Sequence, residues 1–188
     1  MSTPWANHQR KWSQCKLCDL CNYRKKVVLC RGSLPCDILL VGEAPGASED
    51  VLGIPFAGPA GKLLNHLIGL ATEMAQTDCT LAFTNVVACI PLDGSREKAS
   101  EPDKVSMEAC KPRLIEMVDI AKPRALVAVG TLATKWLPKI LPDAYGLEVH
   151  SILHPAAILR LDVSQKGLAC QRVVVILADV MEGLKERA

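Results

Sequence analysis

The sequence lacks the apolar features that would place the chain in a membrane or direct it out of the cell. No run of about 18 apolar residues occurs, which excludes an ordinary membrane-spanning helix. The first residues, Met1–Trp12, are polar and have no apolar centre of the kind found in a secretory signal. The net charge of +2 is too small to indicate a nucleic-acid partner by itself. We therefore predict a cytoplasmic or nucleoid-associated protein, encoded by a cell or by a virus, with no membrane partner.

Repeats, low-complexity tracts and a recognisable interdomain linker are also missing. A chain of 188 residues is long enough for one well-buried domain and too short for two comfortable ones. Its apolar fraction of 49% and charged fraction of 22% are typical of globular enzymes. We expect residues 1–188 to form a single domain that acts as a monomer.

Cysteine, by contrast, is abundant. The chain has nine cysteines and no export signal, and disulfides rarely persist in a reducing compartment. An odd number also cannot pair completely. Clustered cysteines in this context indicate metal or redox chemistry. The first 36 residues are Cys-rich and read as irregular.

After residue 36, short apolar runs alternate with longer amphipathic segments. Strands are predicted at Ile38–Val41, Leu81–Val87, Ala125–Val129 and Glu148–Leu153. Helices are predicted at Gly61–Met74, at Asp103–Ala121 and, after Gly130, through Trp136. Asp103 is a candidate cap, and Pro112 is expected to kink or divide its helix. The C-terminus from Gln165 to Lys185 is either a helix or a strand and a helix, because Arg172–Leu177 is rich in β-branched residues.

This alternation predicts an α/β fold with three layers, in which a four-stranded parallel sheet has helices on both faces. The Cys-rich segment, residues 1–36, is expected to pack onto it. Ligands of such folds bind in the crevice beyond the carboxyl ends of the strands. Here Gly42–Gly46, Asn85, Gly130 and His154-Pro155 follow or end the four strands. A carboxylate, an amide and an imidazole are therefore predicted to meet at one sheet edge.

Two loop motifs near this edge have both an ordinary and a functional interpretation. The turn Gly42–Asp50 could be a plain polar surface loop, or a rigid loop that holds a carboxylate and backbone N–H groups beside a substrate. In Pro55–Gly61, Phe56 could belong to the core, or stack on a planar ring at the mouth of a helix.

Taken in order, the motifs GEAPG-x-x-ED, PFAGPAG, TNVVAC and HPAAILR resemble those of the family 4 uracil-DNA glycosylases. This is the iron–sulfur branch of the uracil-DNA glycosylase superfamily, and the resemblance runs from about Cys15 to Arg160. It implies an enzyme that hydrolyses the N-glycosidic bond of deoxyuridine in DNA, releases uracil and leaves an abasic site. It also implies uracil-containing DNA as partner, a 4Fe-4S cluster as cofactor, and the parallel four-stranded sheet already predicted.

The same resemblance sorts the cysteines. It implies cluster ligation by Cys15, Cys18, Cys89 and Cys110. Two alternatives stay open, because Cys18 and Cys21 form a second, overlapping C-x-x-C and because four thiolates also suit zinc. The remaining thiols are expected to be buried small apolar groups: Cys30, Cys36, Cys79 and Cys170.

Site roles follow from the resemblance residue by residue. Phe56 corresponds to the residue that stacks on the extrahelical uracil, and Asn85 to the amide that reads its O4 and N3 edge. His154 corresponds to the histidine that bonds O2 as negative charge builds on the base. Glu43 and Glu49 correspond to the acids of the first motif, and Gly42 to its substrate-side glycine. Ile158, Leu159 and Arg160 are expected to wedge into DNA and hold a phosphate.

The chain departs from the family pattern at several positions. Ala88 and Ile90–Leu92 replace a basic residue and an Arg-Pro-Pro, a loss of phosphate contacts for which Arg96 and Lys98 could compensate. Neither Val51–Pro55 nor Asp93–Ala99 holds a histidine, so we predict turnover without covalent trapping on DNA. Two other functions remain alternatives: the same fold acting on hypoxanthine or a modified uracil, and a non-catalytic cluster-bearing DNA-binding module.

Overall fold

The fold is built on a five-stranded sheet, seen in a computed structural model that describes residues 2–92, 100–141 and 145–186. The strands are β1 (Arg31–Gly32), β2 (Ile38–Gly42), β3 (Leu81–Asn85), β4 (Ala125–Val129) and β5 (Val149–Ile152). Their order across the sheet is β1-β3-β2-β4-β5. Strands β2 to β5 are mutually parallel, and Leu40 of β2 pairs with Phe83 of β3 and with Val127 of β4. The predicted parallel four-stranded sheet is confirmed, with one correction: the two-residue β1 adds an antiparallel edge beside β3.

Helices cover both faces of this sheet. They are α1 (Pro4–Trp12), α2 (Ala47–Leu52), α3 (Pro59–Ala75), α4 (Lys104–Ala121), α5 (Thr131–Ile140), α6 (Pro155–Arg160) and α7 (Val163–Glu186), with a 3₁₀ turn at Asp19–Asn22. Helices α3, α6 and α7 pack together on one face. Helices α4 and α5 cover the other, and α1 packs on α4. The three-layer α/β/α architecture is therefore confirmed.

The alternation of side chains along the strands divides the core between the two faces. In β2, Ile38 and Leu40 join the apolar cluster under α3 and α7, whereas Leu39 and Val41 join the cluster under α4 and α5. All five residues of β2 and of β4 are buried. Parallel strands that are covered on both faces need continuous apolar runs, which is why these segments stood out in the sequence.

The N-terminal segment is more regular than we predicted. Helix α1 begins after Thr3, whose Oγ1 accepts a hydrogen bond from the backbone N–H of Ala6 at 3.2 Å. Pro4 fills the first helical position, where a missing N–H costs nothing. His8 and Trp12 are buried, which fixes α1 to the rest of the fold.

Helices α4 and α7 are each continuous. Pro112 lies inside α4, yet the helix runs from Lys104 to Ala121 without a break, because its buried face packs on the sheet. The C-terminal segment is one helix, and Val173 and Leu177, four positions apart, are both buried. The β-branched stretch there forms no strand. No helix in the described ranges is long and apolar enough to cross a membrane.

Candidate functional site

The carboxyl ends of β2 to β5 open into a cleft of about 580 Å³. This is within the range of about 300–1,000 Å³ that is usual for small-ligand sites. The cleft brings together six residues that the sequence singled out: Glu43, Glu49, Phe56, Asn85, His154 and Arg160. They follow or end three strands, β2, β3 and β5, and meet because parallel strands end at one sheet edge.

Phe56 is held firmly at the floor of this cleft. Its φ of 52° lies in the left-handed region, where a bulky side chain is strained. Its ring packs at 5.9 Å from the Phe83 ring and at 6.3 Å from the His154 ring, the latter pair inclined by 28°. Gly61 makes this geometry accessible, because a Cβ there would lie 1.7 Å from the Phe56 carbonyl oxygen.

Gly42 shapes the cleft without lining it. A Cβ at this position would lie 2.4 Å from Oδ1 of Asn85 and 2.6 Å from the Phe56 ring. The bare glycine therefore lets the amide and the aromatic ring approach each other beside β2. Its contribution is room for its two neighbours.

Asn85 ends β3 and is buried, with 3% of its surface exposed. Arg113 of α4 donates from Nη2 to the backbone carbonyl of Asn85 and, at 2.8 Å, to that of Val86. Nη1 of Arg113 donates to Oγ1 of Thr84 at 2.9 Å. The peptide that carries the Asn85 amide is thus fixed by a buried guanidinium, a residue that sequence analysis missed.

His154 caps α6 and is oriented by its own backbone. Its Nδ1 accepts a hydrogen bond from the N–H of Ala156 at 3.1 Å, so the neutral ring carries its proton on Nε2. Burial lowers the pKa of His154, and Arg160 lowers it further, while Glu49 opposes the shift. The ring at this edge of the cleft is therefore a neutral imidazole with one N–H to donate.

The two acids of the first motif have different surroundings. Glu49 accepts from the backbone N–H of Gly46 at 3.1 Å and from that of Gly58 at 2.7 Å, one bond at each carboxylate oxygen. Glu43 is half-buried, and its pKa is raised by burial and by the charge of Glu101. Glu101 also lines the cleft, although an exposed acid in a polar stretch gave no signal in the sequence.

The predicted DNA wedge needs a correction. Ile158 is 1% exposed and belongs to the core beneath α3 and α7, so it cannot reach DNA while the domain is folded. Leu159 is 43% exposed, and Arg160 lines the cleft. Helical geometry explains the difference, because the buried face of α6 points Ile158 inward and leaves the next two residues outside. Arg96 and Lys98 lie outside the described residues.

A second cavity gathers the four cysteines that the resemblance selected. Cys15 follows α1, Cys18 precedes the 3₁₀ turn, Cys89 follows β3 and Cys110 lies in α4, yet all four line the same cavity. The other lining side chains are mostly apolar, including Trp12, Leu20 and Val87. Burial raises the pKa of the Cys89 thiol to about 12.

The remaining thiols stay apart from this cavity. Cys21 is absent from its lining, and its sulfur lies 3.5 Å from Oδ1 of Asn22. Burial raises the pKa of Cys30 to about 11 and that of Cys36 to about 12. Cys36 is buried as predicted, whereas Cys30, Cys79 and Cys170 are only partly buried, which corrects the prediction for these three thiols. Across the described ranges, no three His, Cys, Asp or Glu side chains are arranged to hold a metal ion.

Comparison with known proteins identifies the class to which this fold and cleft belong. The sequence profile of the Uracil DNA glycosylase superfamily matches residues 31–179, so the chain belongs to this superfamily. A Type-4 uracil-DNA glycosylase of Pyrobaculum aerophilum is 35% identical over 164 residues, which cover 78% of this chain and 80% of that protein. One from Archaeoglobus fulgidus is 30% identical over 171 residues, 80% of each chain. The crystal structure of Pedobacter heparinus SMUG2 superposes with a TM-score of 0.58 at 15% identity, over 77% of this chain and 75% of that one, and shares the fold.

Proposed function

We propose that this chain is a uracil-DNA glycosylase that hydrolyses the N-glycosidic bond of deoxyuridine in DNA and leaves an abasic site. The observation that carries the proposal is the cleft in which the Asn85 amide, the Phe56 ring and the neutral His154 imidazole converge. An aromatic face, an amide edge and an N–H donor are the groups needed to hold a planar pyrimidine. The relatives named Type-4 uracil-DNA glycosylase support the same activity.

Recognition requires the base to leave the duplex stack, at a cost of a few kcal/mol that contacts in the cleft offset. Phe56 offers its ring as a stacking platform. The Asn85 amide can donate to O4 of uracil and accept from N3–H. Cytosine presents a donor in place of O4, so the same amide would leave buried polar groups unpaired, at about 1–3 kcal/mol.

Bond cleavage leaves the bonding electron pair on N1 of the base and a positive, oxocarbenium-like sugar. The negative charge spreads to O2 of uracil, where the N–H of neutral His154 donates a hydrogen bond that strengthens as charge develops. A neutral donor suits this step, because it stabilises the anion without first transferring a proton to it. Removing one such donor typically raises the barrier by about 3 kcal/mol.

Water completes the reaction at the sugar. Glu43 lines the cleft and, among the described residues, its side chain has no hydrogen bond of the kind that occupies Glu49. As a carboxylate it would offset the positive sugar, orient a water molecule and accept the proton that this water loses on attack. We therefore assign the water-positioning role to Glu43 and a loop-holding role to Glu49.

The cysteine cavity fits the 4Fe-4S cluster that the family resemblance implies. Four thiols from four segments share one mostly apolar cavity. Arg113 also lines this cavity, and its buried Nε–H has no hydrogen-bond partner among the described residues. A cubane binds one thiolate at each iron, so its ligands surround a volume, whereas zinc needs four sulfurs about 2.3 Å from one point. When bound, the cluster would tie the N-terminal segment to α4 and to the loop after β3.

An assay with a panel of bases tests the function. The purified protein is incubated with duplexes that carry U·G, U·A, T·G or hypoxanthine, and abasic sites are then cleaved with alkali. Excision confined to the uracil duplexes is the expected result. Preference for hypoxanthine would point to a different base for the same fold, and binding without any excision would point to a DNA-binding module. Either outcome would contradict the proposal.

A further inference from the structure

Arg113 occupies an unusual position between the two cavities. It lies in α4, three residues after Cys110, and is 1% exposed. Two of its nitrogens hold the end of β3, through Oγ1 of Thr84 and the backbone carbonyls of Asn85 and Val86. The same side chain lines the cysteine cavity. One side chain thus contacts the strand end that carries the predicted base-reading amide and also lines the cavity of the four thiols.

The charge of Arg113 has no carboxylate partner in the described part of the chain. Its hydrogen-bond acceptors there are one hydroxyl and two backbone carbonyls, all uncharged. Glu116, one turn further along α4, already accepts from Lys11 and Trp12 and contacts His8. An unpaired buried cation is costly, so an anionic partner is expected nearby.

One further donor of this side chain is also unused. Nε of Arg113 is buried and has no hydrogen-bond partner among the described residues. Buried N–H groups are rarely left unpaired, and each such case calls for an acceptor. Four thiolates and the sulfides of a cluster would supply both the negative charge and the acceptor in the cavity that Arg113 lines.

We propose that Arg113 is a positioning residue that couples the cluster to base recognition. Its charge and its Nε–H pair with the cluster, while its other two nitrogens fix the Asn85 peptide for reading uracil. This inference rests on the proposed function, because it needs both a cluster and a uracil-reading Asn85. Arginine suits the task better than lysine, since only a planar fork can reach three acceptors and a sulfur at once.

The test compares Arg113→Met and Arg113→Lys with Arg124→Met as the matched control. Arg124 also donates to a backbone carbonyl, that of Leu184. It precedes the first residue of β4, at the end of the strand opposite the cleft. Three quantities are measured on the iron-loaded protein: the reduction potential of the cluster, single-turnover excision of uracil, and the unfolding temperature.

Arg113→Met should shift the reduction potential to more negative values, because a cation that stabilises the reduced cluster is lost. Its excision rate should fall by about 10–100-fold, as expected when hydrogen bonds that orient a reading group are removed. Arg113→Lys should keep the potential near that of wild type and still lose excision. Arg124→Met should change neither the reduction potential nor the excision rate.

Distinct results would overturn the inference. An unchanged potential in Arg113→Met would contradict the pairing of the Arg113 charge with the cluster. Wild-type excision in Arg113→Lys would contradict the role of Arg113 in fixing the Asn85 peptide. A lower unfolding temperature in both variants with no change in potential would mean a purely structural arginine. If Arg113→Met does not fold, the excision rate of Arg113→Lys decides. A wild type that binds iron but excises no uracil would contradict the proposed function instead.

Discussion

Oε1 of Glu49 accepts a hydrogen bond from the backbone N–H of Gly58 at 2.7 Å. Through its other oxygen, the same carboxylate accepts from Gly46, so it joins the loop after β2 to the start of α3. Phe56 lies two residues before Gly58 and has a strained backbone. The Glu49 carboxylate therefore holds in place the Phe56 ring, which we propose stacks on uracil.

This geometry predicts the behaviour of Glu49→Gln. Glutamine keeps one acceptor oxygen and replaces the other with a donor, so one of the two backbone bonds is lost. Single-turnover excision should fall by about tenfold, in line with about 1–3 kcal/mol for an unsatisfied buried group. The acid limb of the pH–rate profile should remain where it is in wild type. Disappearance of that limb would instead identify Glu49 as the base. The control is Glu73→Gln, on the exposed face of α3.

The Glu43–Glu101 pair makes a prediction about pH. Burial and Glu101 raise the pKa of Glu43, and a Glu43 that must act as a carboxylate loses activity as the pH falls through that raised pKa. Glu101→Gln removes the like charge, so the pKa falls and the acid limb of kcat/KM should move to lower pH. The distant Glu182→Gln should leave the profile unmoved. A limb that stays fixed in Glu101→Gln would show that Glu43 does not set it.

Substitution of Asn85 tests base recognition. Asn85→Asp places a carboxylate opposite O4 of uracil, where a donor is needed, and should lower uracil excision by about tenfold or more. The carboxylate of this variant could accept a hydrogen bond from the exocyclic amine of cytosine. Duplexes with a C·G pair at the same position are therefore assayed in parallel. Wild-type single-turnover rates in Asn85→Ala would contradict the pocket assignment.

The cysteine cavity predicts which thiols bind iron. Cys110→Ser should lose the bound cluster, and with it the iron and the broad absorbance at about 400 nm that is typical of such clusters. Cys21→Ser and Cys170→Ser, neither of which lines the cavity, should keep both. Loss of iron from Cys21→Ser would transfer ligation to the second C-x-x-C. A colourless protein that carries zinc after anaerobic purification would contradict the cluster altogether.

The sequence predicted the central sheet well, because buried parallel strands are continuous apolar runs that few other elements imitate. It also predicted that Glu43, Asn85 and His154 would meet, since the ends of parallel strands share one edge. It missed β1, because two residues carry no periodic pattern. It missed α1, although Thr3-Pro4 is a typical helix start.

Two features of the structure could not be predicted from sequence patterns. Arg113 lies on a helix among charged neighbours and looks like a solvated residue until the packing of α4 buries it. Ile158 and Leu159 look equivalent in the sequence, and only the orientation of α6 buries one and exposes the other. In both cases, three-dimensional packing decides what local chemistry leaves open.

The most direct test of the account is single-turnover excision by His154→Ala. His66→Ala, on the exposed face of α3, is the control, and binding to uracil-containing DNA is measured alongside. If the Nε2–H of His154 stabilises the uracil anion, the rate should fall by about 10²–10³-fold. Affinity should change by less than about tenfold, because phosphate contacts dominate it. A His154→Ala rate within about threefold of wild type, far less than the loss of one anion-stabilising donor, would contradict the account and leave the chemistry to Glu43.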